Sequence, residues 1–337
     1  MESLTTPILL LIYNRPDTTK KVFDAIRRVK PSKLYIFTDT PPKDRENDYK
    51  LCMETRAIVS QIDWECNCCR YFEDRCLGGC DNAVRTGIDW FFSNEVYGII
   101  LEDDCVPNDD FFFFCQSMLK MYENNSKIML VGCCNPSSDV TKHIKHDYYF
   151  SRSGSTWGWG TWKRAWDLMV YDFKDYNLFY NSFLRDPYYN DMPEVREKII
   201  SQHTWEKKHP GKVPWDSQLN YTMRLLDMYA IISKVNLIQN IGTSGTHSSK
   251  MLKIHQLTLE NLDSNNIIHP EMVEANYDCD LYNFRNYLSN YKSIWILYYK
   301  VCIVLRKLNI LNIDSDWNTL IVERIGLIYN KLSRQFK

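Results

Sequence analysis

Apolar and polar positions alternate in blocks through the first part of the chain. Unbroken apolar runs are typical of strands buried on both faces, and they predict strands over 7–13, 33–39, 97–102 and 127–133. Between these runs apolar residues recur every three or four positions, which predicts amphipathic helices over 17–29, 48–62, 81–92 and 107–122. A further strand is predicted over 68–72. Strands and helices that alternate with short connections indicate an α/β fold, with a largely parallel sheet flanked by helices.

The pattern is less regular in the second half of the chain. A Trp- and Gly-rich segment over 154–166 has few helix signals, and the region 172–211 is polar, aromatic and either helical or irregular. Residues 216–228 predict a helix and residues 229–238 a strand. A loop rich in Gly, Ser and Thr follows at 242–249.

Polar residues follow directly after three of the predicted strands. Asn14 and Arg15 follow the first strand, and Asp39 ends the second. The acidic triplet 102–104 ends the strand that begins at Tyr97. Because parallel sheets bind ligands beyond the carboxyl ends of their strands, these residues are the first candidates for a binding site.

The acidic triplet consists of Glu102, Asp103 and Asp104. Three carboxylates in one partly buried site repel one another and lose hydration, which costs several kcal/mol unless a cation compensates. Oxygen ligands of this kind suit Mg²⁺ or Mn²⁺, and such a cation can also neutralise a diphosphate. The alternative is an acidic surface turn that caps a helix, since Asp109 and Asp110 have the character of helix-start residues.

Charge and composition narrow the function classes. The net charge is -1, so no global basic field attracts nucleic acid. The 22 Tyr and 10 Trp residues suit a core, and they also suit sugar binding, because flat rings pack on the apolar faces of pyranoses.

The 12 cysteines are scattered, and those between residues 66 and 80 lack the paired C-x₂-C spacing of structural zinc sites. The N-terminus lacks a secretory pattern, so we expect reduced cysteines and a cytoplasmic location.

Several segments resemble GT-A glycosyltransferases in their order along the chain. YGIILEDDCVPNDDFFFF, which contains the triplet, resembles their metal-binding segment, with the nearest likeness to the N-acetylglucosaminyltransferase I-like group and related bacterial polysaccharide glycosyltransferases. LIYNRPDTTKKVFDAI and YIFTDTPP are similar to the first two strands of that group, and GWGTWKRAW to the segment after its metal site. VPWDSQLN and GTSGTH are similar to its catalytic and C-terminal segments. The resemblance covers about residues 5–250 and implies a Rossmann-like GT-A fold that holds Mn²⁺ or Mg²⁺.

The resemblance implies roles for single residues around a nucleotide-sugar donor. It assigns Arg15 to the diphosphate, Asp39 to the edge of the base and Asp104 to the metal. It assigns further residues to the donor: Asn14, Asp81, Glu102 and Asp103. Taken alone, Arg15 could be a helix-start surface residue, and Asp39 a turn residue before Pro41.

Asp216 and His247 lie in the later segments of the resemblance. Asp216, which follows Pro214 and Trp215, resembles the acidic residue that deprotonates the acceptor hydroxyl, and this role implies inversion at the anomeric carbon. Its position also fits a helix N-cap, and the two roles are compatible. His247 lies where many GT-A enzymes place a loop residue against the metal or diphosphate, and a solvent-exposed loop histidine is the alternative.

Tryptophans are concentrated between Gly154 and Trp166. The alternation of large and small residues at Trp157-Gly158-Trp159-Gly160 predicts a mobile lid, with Trp157 or Trp159 against the sugar or acceptor. Trp215 is assigned to the same acceptor side. The alternative is an aromatic core, which we expect for Trp162 and Trp166.

The segment 293–311 is intensely apolar, with interspersed lysine and arginine. This composition predicts peripheral contact with the inner face of the cytoplasmic membrane. A helix packed on the main domain and a homodimer interface are the alternatives. We expect a catalytic domain over 1–255, with a nucleotide-binding half at 1–104 and an acceptor half at 105–255, and a helical C-terminal extension over 256–337.

Taken together, these patterns predict an inverting, metal-dependent glycosyltransferase. It would move a sugar from a nucleotide-diphosphate sugar, expected to be a UDP-sugar, to a hydroxyl of a polysaccharide or lipid-linked oligosaccharide. A nucleotidyltransferase is one alternative, although such enzymes usually have a Gly-rich phosphate loop where this chain reads LIYNRPDTT. The other alternative is a non-catalytic glycan-binding protein with a degenerate transferase fold.

Overall fold

A computed structural model describes residues 3–173, 176–242, 257–264 and 266–288, with the single positions 297, 300, 301, 304 and 308. The chain divides into two compact units. The first comprises 1–171 and 214–288, and the second comprises 172–213 and 289–337. The domain boundary expected at residue 255 stays a prediction.

The first half of the chain alternates strands and helices. Its elements are β1 (Ile8–Leu11), α1 (Pro16–Val29), β2 (Lys33–Thr38), α2 (Glu46–Val59), β3 (Asn67–Phe72), α3 (Cys80–Phe92), β4 (Tyr97–Glu102), β5 (Cys105–Pro107), α4 (Asp109–Met121) and β6 (Ile128–Gly132). The strands and helices predicted for this half are therefore confirmed, while the three-residue strand β5 was not predicted.

Shorter elements follow. The first unit continues with α5 (Ser138–Thr141), β7 (Tyr148–Ser151), β8 (Trp159–Trp162) and α6 (Lys163–Trp166). The second unit contains α7 (Tyr176–Arg185), a 3₁₀ turn (Pro187–Tyr189) and α8 (Pro193–Lys208). The first unit then resumes with α9 (Trp215–Leu225), β9 (Tyr229–Ser233), β10 (Ile238–Asn240), α10 (Tyr277–Asn283) and a π-helical turn (Phe284–Leu288).

The central sheet of the first unit has the strand order β3-β2-β1-β4-β8-β6-β9-β7. β3, β2, β1 and β4 are parallel neighbours. β8 runs antiparallel to both β4 and β6, β6 is parallel to β9, and β7 is antiparallel to β9. Of the eight strands described here, all but β7 and β8 therefore run in one direction. The predicted α/β fold with a mostly parallel sheet is confirmed.

Helices cover both faces of this sheet. On β1, Ile8 and Leu10 pack in one cluster with the apolar faces of α1 and α4, whereas Leu9 and Leu11 pack on the other face with α3 and α9. This arrangement follows from the alternation of side chains along a strand, combined with burial of both faces of a parallel sheet. It places the start of α9 on the same side of the sheet as the start of α3.

Helix α1 begins directly after the loop that follows β1. Pro16 occupies its first turn, where a missing N–H costs nothing, and Arg15 stands at the cap position without a side-chain cap bond. Asp17 is the second helical residue, where the positive end of the helix stabilises its negative charge. The side chain of Arg15 therefore extends from the end of the loop that joins β1 to α1.

The segment predicted as a mobile lid leads into a strand at Trp159. β8 lies between β4 and β6 in the middle of the sheet, and Trp159 is 1% exposed. The lid prediction is wrong for Trp159, because the alternation of small and large residues has the period of a strand that packs on two faces. Trp162 and Trp166 are buried, as predicted for an aromatic core.

Within the described residues, no helix is both long and apolar enough to cross a bilayer.

Candidate functional site

The carboxyl ends of β1 and β4 lie side by side in the sheet. Leu11 pairs with Glu102 at the last register position of the two parallel strands. The loop after β1 leads to Arg15, and the turn after β4 contains Asp103 and Asp104. The parallel pairing therefore brings together residues that are almost ninety positions apart in sequence, as expected at this edge of an α/β sheet.

Arg15 forks between the two aspartates of the acidic triplet. Its Nη2 lies 2.6 Å from Asp103 Oδ1, and its Nη1 lies 2.6 Å from Asp104 Oδ2. Both aspartates are buried, whereas about a third of the Arg15 side chain is exposed. Burial alone would lower the pKa of Arg15, but the charges of the two aspartates raise the pKa above its usual value. The guanidinium is therefore held charged in a rigid, charge-assisted pairing.

One Arg does not balance the three carboxylates of the triplet. Burial raises the pKa of Asp103 to about 7, with Arg15 opposing the shift and Asp104 adding to it. Burial, followed by the charges of Asp104 and Asp103, raises the pKa of Glu102 to about 8. Among the described atoms, the buried Asp103 Oδ2 has no hydrogen-bond partner. The triplet is therefore short of positive charge, and a divalent cation would relieve that shortage.

A short two-stranded sheet fixes the far side of Asp104. β10 pairs antiparallel with β5, which begins directly after Asp104, and the backbone N–H of Ile241 donates to the Asp104 carbonyl at 2.8 Å. The side-chain amide of Asn240 lies 3.4 Å from Asp104 Oδ1. A Cβ on Gly242 would lie 2.2 Å from Asp104 Oδ2, so the backbone itself packs on the carboxylate. Sequence reasoning singled out neither Asn240 nor Gly242: Asn240 precedes the GTSGTH segment, and Gly242 opens it, but the resemblance implied a role only for His247.

His247 lies outside the described residues. The chain is described as far as Gly242 and again from Leu257. The assignment of His247 to the metal therefore stays a prediction.

Asn14 and Asp39 form a second polar group beside the triplet. Asn14 Nδ2 donates to Asp48 Oδ1 at 3.1 Å, and Asp39 Oδ2 accepts from the backbone N–H of Leu77 at 3.1 Å. Burial raises the pKa of Asp39. Burial, followed by nearby charges that include Asp39, raises the pKa of Tyr13. Tyr13 is thus a member of this group that the sequence pattern did not single out.

Asp216 lies in the first turn of α9. It is exposed, and its negative charge is one of the causes that raise the pKa of Glu102. Helix α9 begins at Trp215 with Pro214 at the cap position, so the alternative reading of Asp216 as the N-cap is wrong. Asp216 is the second helical residue, and its Oδ1 accepts from the N–H of Ser217 at 2.7 Å.

Asp81 contacts the start of the same helix. Its Oδ1 accepts a hydrogen bond from the backbone N–H of Trp215 at 3.1 Å. Desolvation, followed by the negative charges of Glu102 and Asp81, raises the pKa of the thiol of Cys80, the neighbouring residue on α3. The starts of α3 and α9 therefore meet beside the acidic triplet. The donor contact predicted for Asp81 stays a prediction.

The tryptophans assigned to the acceptor differ in their surroundings. The rings of Trp159 and Trp215 stack with centroids 5.8 Å apart, and Trp166 packs against both. Trp159 and Trp215 are almost completely buried, so both belong to the core beneath the site. Trp157 is only half-buried, and its contact with acceptor stays a prediction.

The residues present suit a cation that shares its ligands with a substrate. In the described ranges, no three or more His, Cys, Asp or Glu side chains gather as a metal-binding group. Mg²⁺ usually keeps several waters and takes one or two protein carboxylates, with substrate phosphates completing its shell. Asp103 and Asp104 offer such carboxylates, and the unpartnered Asp103 Oδ2 is a free ligand atom of the required kind.

No family model matches this chain, and no curated protein matches it. Among solved structures it is similar to one described as the crystal structure of UDP-glucose pyrophosphorylase complexed with UDP-glucose. That similarity has a TM-score of 0.30 and 10% sequence identity, and it covers 68% of this chain and 90% of the other. A likeness at this level assigns neither an activity nor a substrate to this chain, and membership of the GT-A group stays a prediction.

Proposed function

We propose that this protein is a metal-dependent, inverting glycosyltransferase that uses a UDP-sugar. The observation that carries the proposal is the fork of Arg15 between Asp103 and Asp104, with the buried Asp103 Oδ2 left unpartnered. The guanidinium of Arg15 is a fixed positive charge, and it lies beside carboxylates that need a divalent ion. This combination suits the binding of a diphosphate. The place of Asp216 in the first turn of α9, whose leading N–H is bound by Asp81 at the start of α3, supports the second half of the proposal, because it supplies an exposed carboxylate that can act as base.

The proposed reaction is a direct displacement at the anomeric carbon. An acceptor oxygen forms the new glycosidic bond while the bond from the anomeric carbon to the diphosphate oxygen breaks, and UDP leaves with the bonding electrons. Asp216 takes the proton of the acceptor hydroxyl. Arg15 donates hydrogen bonds to the diphosphate, and Glu102 orients the donor. A cation held by Asp103 and Asp104, when bound, would neutralise the charge that develops on the leaving diphosphate.

A nucleotidyltransferase is the nearest rival. That chemistry attacks the α-phosphorus and usually relies on glycine backbone to cradle phosphates in the loop after the first strand. Here the loop between β1 and α1 spans Ile12 to Arg15 and contains no glycine. The rival from another class is a glycan-binding protein that has lost catalysis.

Donor turnover separates these possibilities. A panel of UDP-sugars is incubated with the protein and Mn²⁺, and the nucleotide products are separated by chromatography. A glycosyltransferase slowly releases UDP by transfer to water, and chelation of the metal abolishes the release. In a parallel incubation with added pyrophosphate, formation of UTP and a sugar phosphate would instead indicate nucleotidyl transfer. Binding of UDP-sugars without any turnover would indicate a scaffold.

The acceptor is proposed to be lipid-linked, because the second unit presents an apolar stripe. The described positions Leu297, Val301, Val304 and Leu308 are all exposed, between 48% and 64%, at a spacing that places them on one helix face. The segment 293–311 contains three basic residues and no acidic ones. A stripe of this kind suits the surface of an anionic membrane.

Vesicle sedimentation tests the membrane contact. We expect the protein to bind vesicles of phosphatidylcholine mixed with phosphatidylserine, more weakly at high salt, and Val301→Asp to abolish binding. Val96→Asp, which alters an exposed apolar residue of the first unit, is the matched control. Dimerisation without vesicle binding would assign the stripe to a subunit interface instead.

A further inference from the structure

Helix α9 has no N-cap of its own. The helix begins at Trp215, and the residue at the cap position is Pro214, whose side chain offers no hydrogen-bond acceptor. The first N–H groups of a helix lack partners within the helix, and a side-chain acceptor usually satisfies one of them. Ser217 bonds back to Pro214 and to its neighbour Asp216. The N–H of Trp215 needs a partner from elsewhere in the chain.

Asp81 supplies that partner across a separation of 134 residues. Its Oδ1 lies 3.1 Å from the Trp215 nitrogen, and Asp81 itself lies in the first turn of α3. A carboxylate at this place faces the positive ends of two helices at once, which is favourable for a negative charge. The hydrogen bond therefore ties the start of α9 to the start of α3.

The start of α9 is fixed on its other sides as well. The Trp215 ring is buried and stacks on Trp159 in the middle of the sheet. Asn220 Nδ2 donates to the carbonyl of Asp216 at 3.1 Å, and its Oδ1 accepts from the N–H of Gly154 at 3.0 Å. The carbonyl of Asp216 is thus linked through Asn220 to the backbone of Gly154, while its carboxylate stays exposed.

We propose that Asp81 is a positioning residue for Asp216. By capping α9 from another helix, it holds the first turn of α9 so that the Asp216 carboxylate faces the donor site. This proposal rests on the proposed function, in which Asp216 is the base. It differs from the donor contact that the sequence resemblance implies for Asp81, since a positioning residue acts on the rate of the chemical step and not on the affinity for the donor.

Two substitutions of Asp81 separate these roles. Asp81→Ala removes the acceptor of the Trp215 N–H, whereas Asp81→Asn keeps an oxygen in the same place. Turnover is measured as UDP release from the most reactive UDP-sugar of the panel, in Mn²⁺. We expect Asp81→Ala to lower kcat by about tenfold or more with little change in the KM for the donor, and Asp81→Asn to recover most of the loss.

The double variant Asp81→Ala/Asp216→Asn tests whether Asp81 acts through Asp216. We expect its kcat to match that of Asp216→Asn to within about twofold, because residues that act as a unit are not additive. Asp89→Ala is the matched control: Asp89 lies on the same helix and accepts a 2.6 Å hydrogen bond from a side chain, at Trp166 Nε1, and not from the first N–H of α9. We expect that control to change stability without changing kcat.

Hydrogen exchange provides a readout that does not depend on turnover. The amides of Trp215, Asp216 and Ser217 should exchange faster in Asp81→Ala than in the native chain, and Asp81→Asn should restore most of the protection. Unchanged exchange in Asp81→Ala would overturn the capping role. A raised KM for the donor with an unchanged kcat would overturn the positioning role in favour of donor contact. Full activity of Asp216→Asn would instead contradict the proposed base, whatever the behaviour of Asp81.

Discussion

At the scale of single residues, Arg15 has two tasks that compete. Both of its Nη atoms are engaged at 2.6 Å by Asp103 and Asp104. In the proposed function the same N–H groups bind the diphosphate. A cation that takes over the aspartates would release Arg15 toward the nucleotide, so binding of the two ligands should be cooperative.

Replacement of Arg15 should therefore raise the affinity for the metal ion and lower the affinity for the nucleotide. We expect Arg15→Ala to bind Mn²⁺ alone more tightly than the native chain, because the aspartates lose their internal counter-ion. We expect the affinity for UDP in saturating Mn²⁺ to fall by about tenfold or more, as a charge-assisted bidentate contact is lost. Isothermal titration measures both affinities.

Arg28→Ala is the control for this experiment. Arg28 pairs with Asp109 on the surface, with about half of each side chain exposed, so its loss should change neither affinity. Weaker binding of Mn²⁺ alone to Arg15→Ala would contradict the view that Arg15 competes with the cation.

The raised pKa of Glu102 predicts a pH dependence of stability in the absence of metal. The folded chain holds a proton at Glu102 up to about pH 8, whereas the unfolded chain releases it near the ordinary value of 4.5. Below the lower pKa the proton is present in both states, and above the higher pKa it is absent from both. The contribution of Glu102 to stability is therefore lost as pH rises through this window.

Glu102→Gln should remove that part of the pH dependence. Between about pH 5 and pH 9 the native chain should lose on the order of 1–2 kcal/mol more stability than the variant, after allowance for partial solvent screening. Urea unfolding in chelator at both pH values measures the difference. Parallel pH profiles for the two proteins would show that burial does not raise the pKa of Glu102.

At the scale of elements, two short strands determine the shape of the site. β5 begins directly after Asp104 and pairs with β10. Because Gly242 follows β10 by two residues, this pairing places it against the Asp104 carboxylate. Strands of three residues carry too little periodicity to be predicted from sequence. The strands β1, β2, β4 and β6 were predicted because each lies in a continuous apolar run of the sequence. In the structure these strands are largely buried.

Gly242→Ala tests this contact. The added methyl group would lie 2.2 Å from Asp104 Oδ2, so either the carboxylate or the backbone must move. We expect the affinity for Mn²⁺ in the presence of UDP to fall by about tenfold or more. The melting temperature should change little, because the site lies beyond the carboxyl ends of the strands and not in the core. Gln239→Ala, in the adjoining strand β10, is the neighbouring control. An unchanged affinity would show that the position of Asp104 tolerates displacement.

At the scale of the whole molecule, sequence reasoning was strongest where the signal is local. The α/β alternation and the strand-end positions of Arg15 and the triplet follow from patterns of a few residues, and both are found in the structure. The contact of Asp81 with Trp215 spans 134 residues, and no local pattern indicates it. Trp159 was assigned to a lid because an aromatic and glycine alternation also occurs in loops, and only its neighbours in the sheet show otherwise.

The central claim is that the carbon–oxygen bond of a UDP-sugar breaks with inversion. Proton NMR of an α-linked UDP-sugar, incubated with the protein and Mn²⁺, follows both the nucleotide and the anomer of the released sugar before the anomers equilibrate. The account predicts UDP together with the β-anomer as the first products, and loss of both when Asp216 is replaced by Asn. Initial release of the α-anomer would contradict inversion, and release of UMP with a sugar phosphate would contradict glycosyl transfer altogether.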